Sequence, residues 1–319
     1  MDNPLVRRAA IMGGSALLTF LLFVLMGEKG ALVIGVITGA AYGLLGLGLV
    51  LIYKSSGVFN FAQGEFGTVA IYALYLMHSS GVPYVFALLG SLVIAVVFGL
   101  LVERIIVRPL FDAPRVTLLV ATAGVSLLAV GVQIWFGEAR LRNIDPALPR
   151  TDRVSVLGVL ISDQRLLLIA VLLVLAGVLA YFFNRTTLGL AIIGASQEAT
   201  ATELVGISVK RLSSFTWALA ALLGGLAGVI GIPAAGNNFG PGVVTAGLLI
   251  PAFTAAVLGG FASLPGAFLG GAIVGVSQAL ATSSDFFDFI PGQAGVVVAF
   301  VLLVGVLSVR PNGLLGGRA

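Results

Sequence analysis

Long apolar runs separated by short polar segments make up most of the chain, and they predict helices that cross a membrane. A spanning helix needs about 20 mostly apolar residues, and about ten runs come near that length. Their apolar residues are continuous rather than alternating, which argues against a membrane β-barrel, whose strands alternate. The predicted spans cover residues 9–26, 31–53, 58–77, 84–102, 116–136, 166–183, 212–232, 243–260, 266–281 and 293–308.

The composition agrees with this pattern. Hydrophobic residues make up 59% of the 319 residues and charged residues only 9%, whereas a soluble domain carries about 25% charged residues. In lipid the backbone must satisfy its own hydrogen bonds, and continuous apolar runs do so as α-helices. We therefore predict an all-α fold: a polytopic membrane helix bundle that forms one transmembrane domain over residues 1–319, surrounded by membrane lipid.

The distribution of basic residues predicts the orientation of the spans. If the N-terminus lies in the cytosol, eleven of the 17 Lys and Arg residues fall on the cytosolic side, where membrane proteins carry such an excess. The prediction is therefore N-in and C-in. Most of the other basic residues lie in an external loop, residues 137–165, beside several acidic residues and prolines. That balance favours a folded external platform, and a plain solvated loop is the alternative.

Glycines recur at a spacing of four in several predicted spans, so they share one face of a helix. In lipid, small residues at this spacing let two helix backbones approach closely. The chain contains 43 glycines, so the pairs count together rather than singly, and together they predict a tightly packed bundle. The sets are Gly35, Gly39 and Gly43; Gly224 and Gly228; Gly266 and Gly270; and Gly271 and Gly275.

The two spans at residues 243–260 and 266–281 are short and rich in Gly and Pro, which predicts tilted or broken helices. Pro251 is suited either to break its helix and free carbonyl groups toward a water-lined path or to kink it. The polar residues 236–241, ahead of these spans, favour a plain turn at the outer side, because Asn, Gly and Pro are turn residues.

Residues 57–72 place polar side chains between two apolar runs. Polar groups at membrane depth are costly and usually mark function, unless the stretch lies at a membrane boundary. The predicted topology puts Asn60 and Gln63 in the cytosolic half of the span. We therefore expect the stretch to pack the helix ends along the inner part of a path, with Glu65 hydrogen-bonded into the bundle. The path candidates lie on two faces, Asn60, Gln63, Gly64 and Gly67 on one, and Glu65, Thr68 and Tyr72 on the other.

The sequence offers little for catalysis or metal binding. No segment matches a nucleotide-binding Walker loop, because no lysine follows a glycine. Cysteine is absent, and the one histidine, His78, is predicted to lie at the membrane interface rather than in a metal site. The net charge of +4 comes from loops and termini and suggests membrane orientation, not nucleic-acid binding. Only Glu65 among the acidic residues is predicted inside a span, so uphill transport would need energy from a partner.

A segment between the sixth and seventh spans, residues 184–211, is predicted to lie in the cytosol. Residues 188–195 form a short amphipathic segment, and Ser196 is suited to cap the second helix that follows. Gly206 is suited to end that helix, with Ile207 supplying the apolar contact that accompanies such a stop.

A short, rigid helix at this position is suited to dock into a groove on a neighbouring subunit. The alternative is an ordinary helix lying on the membrane surface. The segment lacks the basic face usual in such helices, so docking is the favoured interpretation.

Several sequence motifs resemble those of a known transporter family. Residues 41–53 (Ala-Tyr-Gly-Leu-Leu-Gly-Leu-Gly-Leu-Val-Leu-Ile-Tyr) and 57–65 (Gly-Val-Phe-Asn-Phe-Ala-Gln-Gly-Glu) resemble the opening of branched-chain amino acid ABC transporter permeases. Arg108-Pro109-Leu110 resembles the family's cytosolic turn, residues 187–207 its ATPase-coupling loop, and residues 310–316 its C-terminal end. The Asn-Phe-Ala-Gln-Gly-Glu form is similar to the LivH-type subunit rather than to its LivM-type companion.

The resemblance implies a permease subunit of an importer in the bacterial plasma (inner) membrane, for branched-chain or related hydrophobic amino acids. Such a subunit pairs with a second, LivM-type permease, two cytosolic ATPase subunits and an external solute-binding protein. ATP and Mg would bind to the ATPases, and this chain would hold no cofactor and catalyse no reaction. ATP binding and hydrolysis would then rock the permeases between outward-open and inward-open states.

The resemblance also assigns expected roles to two groups of residues. The arginines of the external loop would help to dock the binding protein through charge complementarity, and they are Arg140, Arg142, Arg150 and Arg153. Residues of the coupling loop, 184–211, would transmit motion from the ATPases, and they are Gly194, Ala195, Ser196, Glu198, Ala199, Glu203, Leu204 and Gly206.

Several alternatives stay open. The chain departs from the commonest family pattern at residues 54–56 and 70–72, and related permeases carry urea or short amides, so the solute is not fixed by the motif. A self-sufficient channel or carrier is a rival of another kind. An intramembrane enzyme is a third, which the scarcity of buried acids, bases and metal ligands disfavours.

Overall fold

The computed structural model describes residues 29–111, 113–137, 139–148, 152–156, 158–236, 238–261, 263–283, 294–309 and 313. The predicted span at residues 9–26, the predicted dock residue Arg150 and most of the C-terminal motif at residues 310–316 lie outside this part. The α-helices are α1 (Lys29–Ser56), α2 (Gln63–Ser79), α3 (Tyr84–Val102), α4 (Arg115–Gly137), α5 (Asp163–Arg185), α6 (Thr187–Gln197), α7 (Ala199–Leu204), α8 (Val209–Leu226), α9 (Ile232–Ala235), α10 (Ile250–Gly259), α11 (Leu264–Ser283) and α12 (Ala294–Val309).

Within the described residues, six helical segments are long and apolar enough to cross a membrane, and each falls on a predicted span. They are Lys29–Ser56, Tyr84–Leu110, Arg115–Phe136, Asp163–Arg185, Val209–Ala235 and Leu264–Ser283. Two shorter apolar helices, Thr245–Gly259 and Ala294–Ser308, fall on two more. The prediction of a helical membrane bundle is confirmed, while the full count of about ten spans stays a prediction.

Helix α1 forms the centre of the bundle. Every residue from 39 to 52 is buried, as expected for a helix that is apolar on all sides. Helices α8, α10 and α11 pack around it. Helices α3 and α5 lie at the periphery, where most of their apolar side chains are exposed or only half-buried.

The predicted glycine faces are confirmed as sites of close backbone contact. A Cβ on Gly39 would lie 2.5 Å from the carbonyl oxygen of Gly271, and one on Gly35 would lie 2.5 Å from the Cα of Val276. Any side chain at these positions would therefore push α1 and α11 apart. Gly228 likewise leaves no room for a Cβ against the backbone of Gly67.

Helix α2 begins at Gln63, five residues later than the predicted span at 58–77. Gly57 has a φ of +66°, a left-handed conformation that glycine adopts readily, and it ends α1. The chain then runs without helix through residues 58–62. Asn60 accordingly lies before the helix, so the predicted helical face that joined it to Gln63, Gly64 and Gly67 is wrong for Asn60.

Helix α3 does not stop at residue 102 as the sequence predicted. It continues through a π-helical turn, Glu103–Val107, and a 3₁₀ turn, Arg108–Leu110. The physical reason is that Glu103 finds partners inside the bundle, as described below, so its charge does not force the chain out of the helix.

Two further π turns interrupt regular helices. One, Ala227–Gly231, joins α8 to α9, and another, Thr245–Leu249, leads directly into α10. Pro251 lies in the first turn of α10, where its missing N–H is tolerated. The backbone stays helical through Pro251, so the helix is not broken there.

The all-α prediction needs one correction, because the described residues include two small antiparallel sheets. Strand β1 (Arg142–Asn143) pairs with β4 (Asn238–Phe239), with Arg142 opposite Phe239. Strands β2 (Asp152–Val156) and β3 (Val159–Ser162) form a hairpin. The segment 236–241, predicted as a plain turn, thus contains a strand, because the partner strand is remote in the sequence.

Candidate functional site

The polar stretch ahead of α2 is buried and forms a hydrogen-bonded network. Asn60 is 1% exposed and Gln63 is fully buried. The Asn60 Oδ1 accepts a hydrogen bond from the backbone N–H of Ala62 at 3.0 Å, and its Nδ2 donates to Gln63 Oε1 at 3.5 Å. The Gln63 Nε2 donates to the carbonyl oxygen of Ala220 at 2.9 Å. Asn60 and Gln63 therefore tie the start of α2 to the middle of α8.

Three glycines make room for this arrangement. The Gln63 side chain occupies the space that a Cβ on Gly48 of α1 would need. A Cβ on Gly64 would lie 2.6 Å from the Cα of Thr245, and one on Gly67 would lie 2.7 Å from the carbonyl oxygen of Gly224. Gly64 and Gly67 thus lie in close helix contacts, and their role beside a solute path stays a prediction.

Glu65 is fully buried and connects three parts of the bundle. Its Oε2 accepts a hydrogen bond from Gln133 Nε2 at 2.7 Å, and its Oε1 accepts one from Ser126 at 3.5 Å. The Gln133 Oε1 accepts from the backbone N–H of Gly242 at 2.8 Å. Helix α2, helix α4 and the segment before the third π turn are joined through this chain of bonds, as expected for a carboxylate hydrogen-bonded into the bundle.

The predicted second face of α2 is present. Thr68 donates to the carbonyl oxygen of Gly64 at 3.3 Å and accepts from the backbone N–H of Val244 at 3.3 Å. The Tyr72 ring packs edge-on against Phe239 with centroids 5.0 Å apart. Glu65, Thr68 and Tyr72 therefore all face α4 or residues 239–244.

An apolar groove of about 460 Å³ runs along this part of the molecule. Tyr72, Gln133 and Arg142 are its polar lining residues, and the rest are apolar residues of α2, α3 and α4. The Arg142 guanidinium lies 5.1 Å from the centroid of the Tyr75 ring. The groove therefore combines an apolar wall with a cation. Within the described residues, no group of three or more His, Cys, Asp or Glu side chains lies close enough together to bind a metal ion.

A polar cluster at the end of α3 was missed from the sequence. Glu103 is fully buried, and both its carboxylate oxygens accept from Arg108 at 3.0–3.2 Å. Ser214 of α8 donates to Glu103 Oε2 at 2.9 Å. Charged residues that follow an apolar run have the pattern of a membrane boundary, so the sequence predicts the end of a span at residue 102 and does not indicate this cluster.

The coupling loop, residues 184–211, is called the coupling segment below, and most of it folds as two short helices, α6 and α7. Thr186 caps α6 by accepting from the N–H of Gly189 at 3.0 Å. Ser196 lies inside α6, so its predicted role as the cap of the second helix is wrong. Glu198 occupies the cap position of α7, with extended backbone and no capping bond from its side chain.

The predicted stop at Gly206 is confirmed. Its φ is +85°, and its N–H donates to the carbonyl of Glu203 at 2.9 Å. The N–H of Ile207 donates to the carbonyl of Thr202 at 3.2 Å. This pair of bonds is the Schellman motif, which turns the chain sharply at a helix end, here directly ahead of α8.

The coupling segment has an inner and an outer face. Ala195 and Thr202 are buried, while Gly194 is half-buried and Glu198 and Gly206 are exposed. Ala199 begins α7. At the end of α7, Leu204 is 84% exposed and Val205 is 73% exposed, next to the exposed Glu203. An exposed aliphatic pair beside a carboxylate is suited to contact another protein.

The structure describes three of the predicted dock arginines, two within the small sheets and one beside them. Arg140 is exposed just before β1, Arg142 lies in β1 and is half-buried, and Arg153 belongs to β2. The β1–β4 pairing holds Arg142 close to the residues that follow α9.

Comparisons with known proteins point to one family. The family model described as "Branched-chain amino acid transport system / permease component" matches residues 10–307. The chain is 33% identical over 302 residues to the high-affinity branched-chain amino acid transport system permease protein BraD of Pseudomonas aeruginosa, covering 89% of this chain and 94% of that protein. It is 28% identical to LivH of Escherichia coli K12, covering 88% of this chain and 93% of that protein.

A more distant relative extends the same pattern. The probable branched-chain amino acid transport permease protein LivH of Methanocaldococcus jannaschii is 27% identical, covering 91% of this chain and 93% of that protein. These matches run across the apolar helices described above, which make the chain a multi-pass protein of the inner membrane. The chain belongs to the family of branched-chain amino acid transport system permease components.

Proposed function

We propose that this chain is a transmembrane permease subunit of an ATP-binding-cassette importer for branched-chain or related hydrophobic amino acids. The observation that carries the proposal is the coupling segment. Its exposed outer face at Leu204 and Val205 is joined through the Gly206 stop to α8, and α8 accepts the hydrogen bond of Gln63. A displacement of the coupling segment by a cytosolic partner would therefore be transmitted through α8 to the polar stretch at the start of α2.

The energy for transport comes from partner subunits in this account. The chain has no lysine preceded by glycine and thus no Walker loop. Two cytosolic ATPases would bind ATP and Mg, and a LivM-type second permease would complete the membrane part. An external solute-binding protein would deliver the amino acid. Nucleic acid has no role in this account.

The proposed orientation has about ten spans with both termini in the cytosol. It puts the ends of α1 and α5 on one side, and Lys54 lies 5.6 Å from the centroid of the Phe183 ring. It puts residues 137–165 and 236–241 on the other side, and Arg142 pairs with Phe239 there. These two contacts support the proposed grouping of segments on the two sides, because each joins segments that the topology assigns to the same side, and the excess of basic residues assigns one of those sides to the cytosol.

The buried network has a supporting role in the proposed mechanism. The side chains of Asn60, Gln63 and Glu65 would hold in place the helix ends that line the inner part of the solute path. The binding protein would carry out most of the selection among solutes. Helix α2 would pack closely against α8 and residues 239–245 through Gly64, Gly67, Thr68 and Tyr72. The arginines of the external loop would steer and orient the binding protein by charge.

A binding experiment tests the coupling assignment. We expect a Leu204→Ser, Val205→Ser double variant to lose most of its capture of the partner ATPases in a pull-down, because the aliphatic contact is removed. A Leu160→Ser variant, which changes an exposed leucine on β3, serves as the matched control. Full ATPase capture by the double variant would refute the assignment.

A further inference from the structure

The Glu103 cluster joins the end of α3 to the first turns of α8. Glu103 accepts from Arg108 and from Ser214. Arg108 Nη2 also donates to Ser214 Oγ and, at 3.3 Å, to the carbonyl oxygen of Lys210. The Glu103 side chain is 1% exposed and that of Arg108 is 27% exposed. We call Glu103, Arg108 and Ser214 the α3–α8 clamp.

The clamp lies next to the point where the coupling segment joins α8. The Schellman motif at Gly206 ends α7, and α8 begins at Val209. The Lys210 carbonyl that Arg108 contacts is in the first turn of α8. A displacement of α7 therefore enters α8 at the turn that the clamp holds.

Beyond the clamp, α3 and α8 stay in close contact. A Cβ on Gly99 would lie 2.5 Å from the Cβ of Ala221, and one on Gly225 would lie 3.2 Å from the Cβ of Ala95. Small residues at these positions let the two backbones approach. The interface between α3 and α8 is thus apolar along the helices, and the clamp supplies polar contacts at one end of it.

The chemistry of the clamp makes it hard to open. A buried carboxylate needs its partners, because removing one leaves an uncompensated charge in a medium of low dielectric constant. The Arg108 guanidinium binds both carboxylate oxygens, which fixes direction as well as distance. The Glu103–Arg108 pair lies within the α3 segment, and separation of α3 from the start of α8 would break its bonds to Ser214 and to the Lys210 carbonyl.

The clamp also coincides with the π turn Glu103–Val107. π turns occur frequently at functional sites. This turn places Glu103 and Arg108, five residues apart, on the same side of α3.

We propose that the α3–α8 clamp transmits motion of the coupling segment to α3, so that α3 and α8 move as one body during transport. This inference rests on the proposed function as an importer permease. Glu103, Arg108 and Ser214 are positioning residues in this account and do not contact the solute. Opening the clamp should therefore uncouple ATP hydrolysis from uptake.

The test uses the complete complex in proteoliposomes, with the partner permease, both ATPases, the binding protein and labelled leucine. Uptake and phosphate release are measured together, and their ratio gives the ATP used per leucine. The variants are E103Q, R108K and S214A. The control is R104Q, which removes an exposed cation from the same π turn.

We expect R108K and E103Q to raise the ATP used per leucine about fivefold, and S214A about twofold, the range of measured coupling changes. R104Q should match the unaltered chain. If E103Q does not assemble, R108K and S214A still decide the outcome. An unchanged ratio in both, or uptake and ATPase activity that fall in parallel with the amount of assembled complex, would overturn the inference. Absence of ATP-dependent uptake by the unaltered complex would instead remove the proposed function itself.

Discussion

The side-chain nitrogen of Gln63 lies 2.9 Å from the carbonyl oxygen of Ala220, and both residues are fully buried. Gln63 is the first residue of α2 and belongs to the polar stretch whose sequence resembles that of LivH-type permeases. Ala220 lies in the middle of α8, which begins just after the coupling segment. This single bond therefore connects that polar stretch to the helix that directly follows the coupling segment, on which the ATPases are proposed to act.

Replacing Gln63 with leucine should weaken this connection. We expect a loss of about 1 kcal/mol in the free energy of unfolding, the usual net contribution of one hydrogen bond, and a lower rate of uptake. Thermal unfolding in detergent and uptake by the reconstituted complex measure the two effects. Ser79→Ala, at the exposed end of α2, is the control. Uptake and stability equal to those of the control would contradict the role of the bond.

Glu65 and Gln133 should behave as a coupled pair. Glu65→Leu removes the acceptor of a buried amide, and Gln133→Leu removes the closest donor to a buried carboxylate, so each should cost about 1–3 kcal/mol. The double variant should cost less than the sum, by about 0.5–3 kcal/mol. Chemical denaturation of all four proteins gives the coupling energy. Strict additivity would show that the 2.7 Å contact does not contribute.

Gly39→Ala should disturb the contact between α1 and α11. The added Cβ would collide with the backbone of Gly271, and such overpacking costs about 1–3 kcal/mol. Gly131→Ala in α4 is the matched control, because a Cβ there meets nothing within 4 Å. The difference in unfolding temperature between the two variants is the measurement. Equal temperatures would mean that the two helices are not packed through these glycines.

The orientation of the spans is testable because the chain contains no cysteine. Arg140→Cys and Glu203→Cys each introduce one thiol at an exposed residue. With a membrane-impermeant maleimide on intact spheroplasts, we expect labelling of the first variant alone. The second should react only after permeabilisation. The reverse pattern would invert the proposed topology.

The general architecture follows from the sequence because lipid leaves few choices. Continuous apolar runs must form helices, and glycines at a spacing of four mark where the helices touch. These predictions agree with the buried α1 and with the contact between Gly39 and Gly271. The stop at Gly206 was predictable for a similar reason, since it depends on local backbone geometry alone.

The features that the sequence did not predict depend on contacts between residues that are far apart in the chain. The pairing of Arg142 with Phe239 joins positions far apart in the chain, so residues 236–241 had the pattern of a turn. Glu103 had the pattern of a membrane boundary, because its burial depends on Ser214 of a distant helix. Asn60 fitted a helical spacing, yet Gly57 ends the preceding helix and delays α2 until Gln63.

The central claim is that partner ATPases drive uptake through this chain. The most direct test is uptake of labelled leucine into proteoliposomes that contain both permeases and both ATPases, with binding protein outside and ATP inside. We predict accumulation that requires both ATP and the binding protein and that is lost in the Leu204→Ser, Val205→Ser variant. Equal uptake without ATP would identify a channel or carrier and contradict the account.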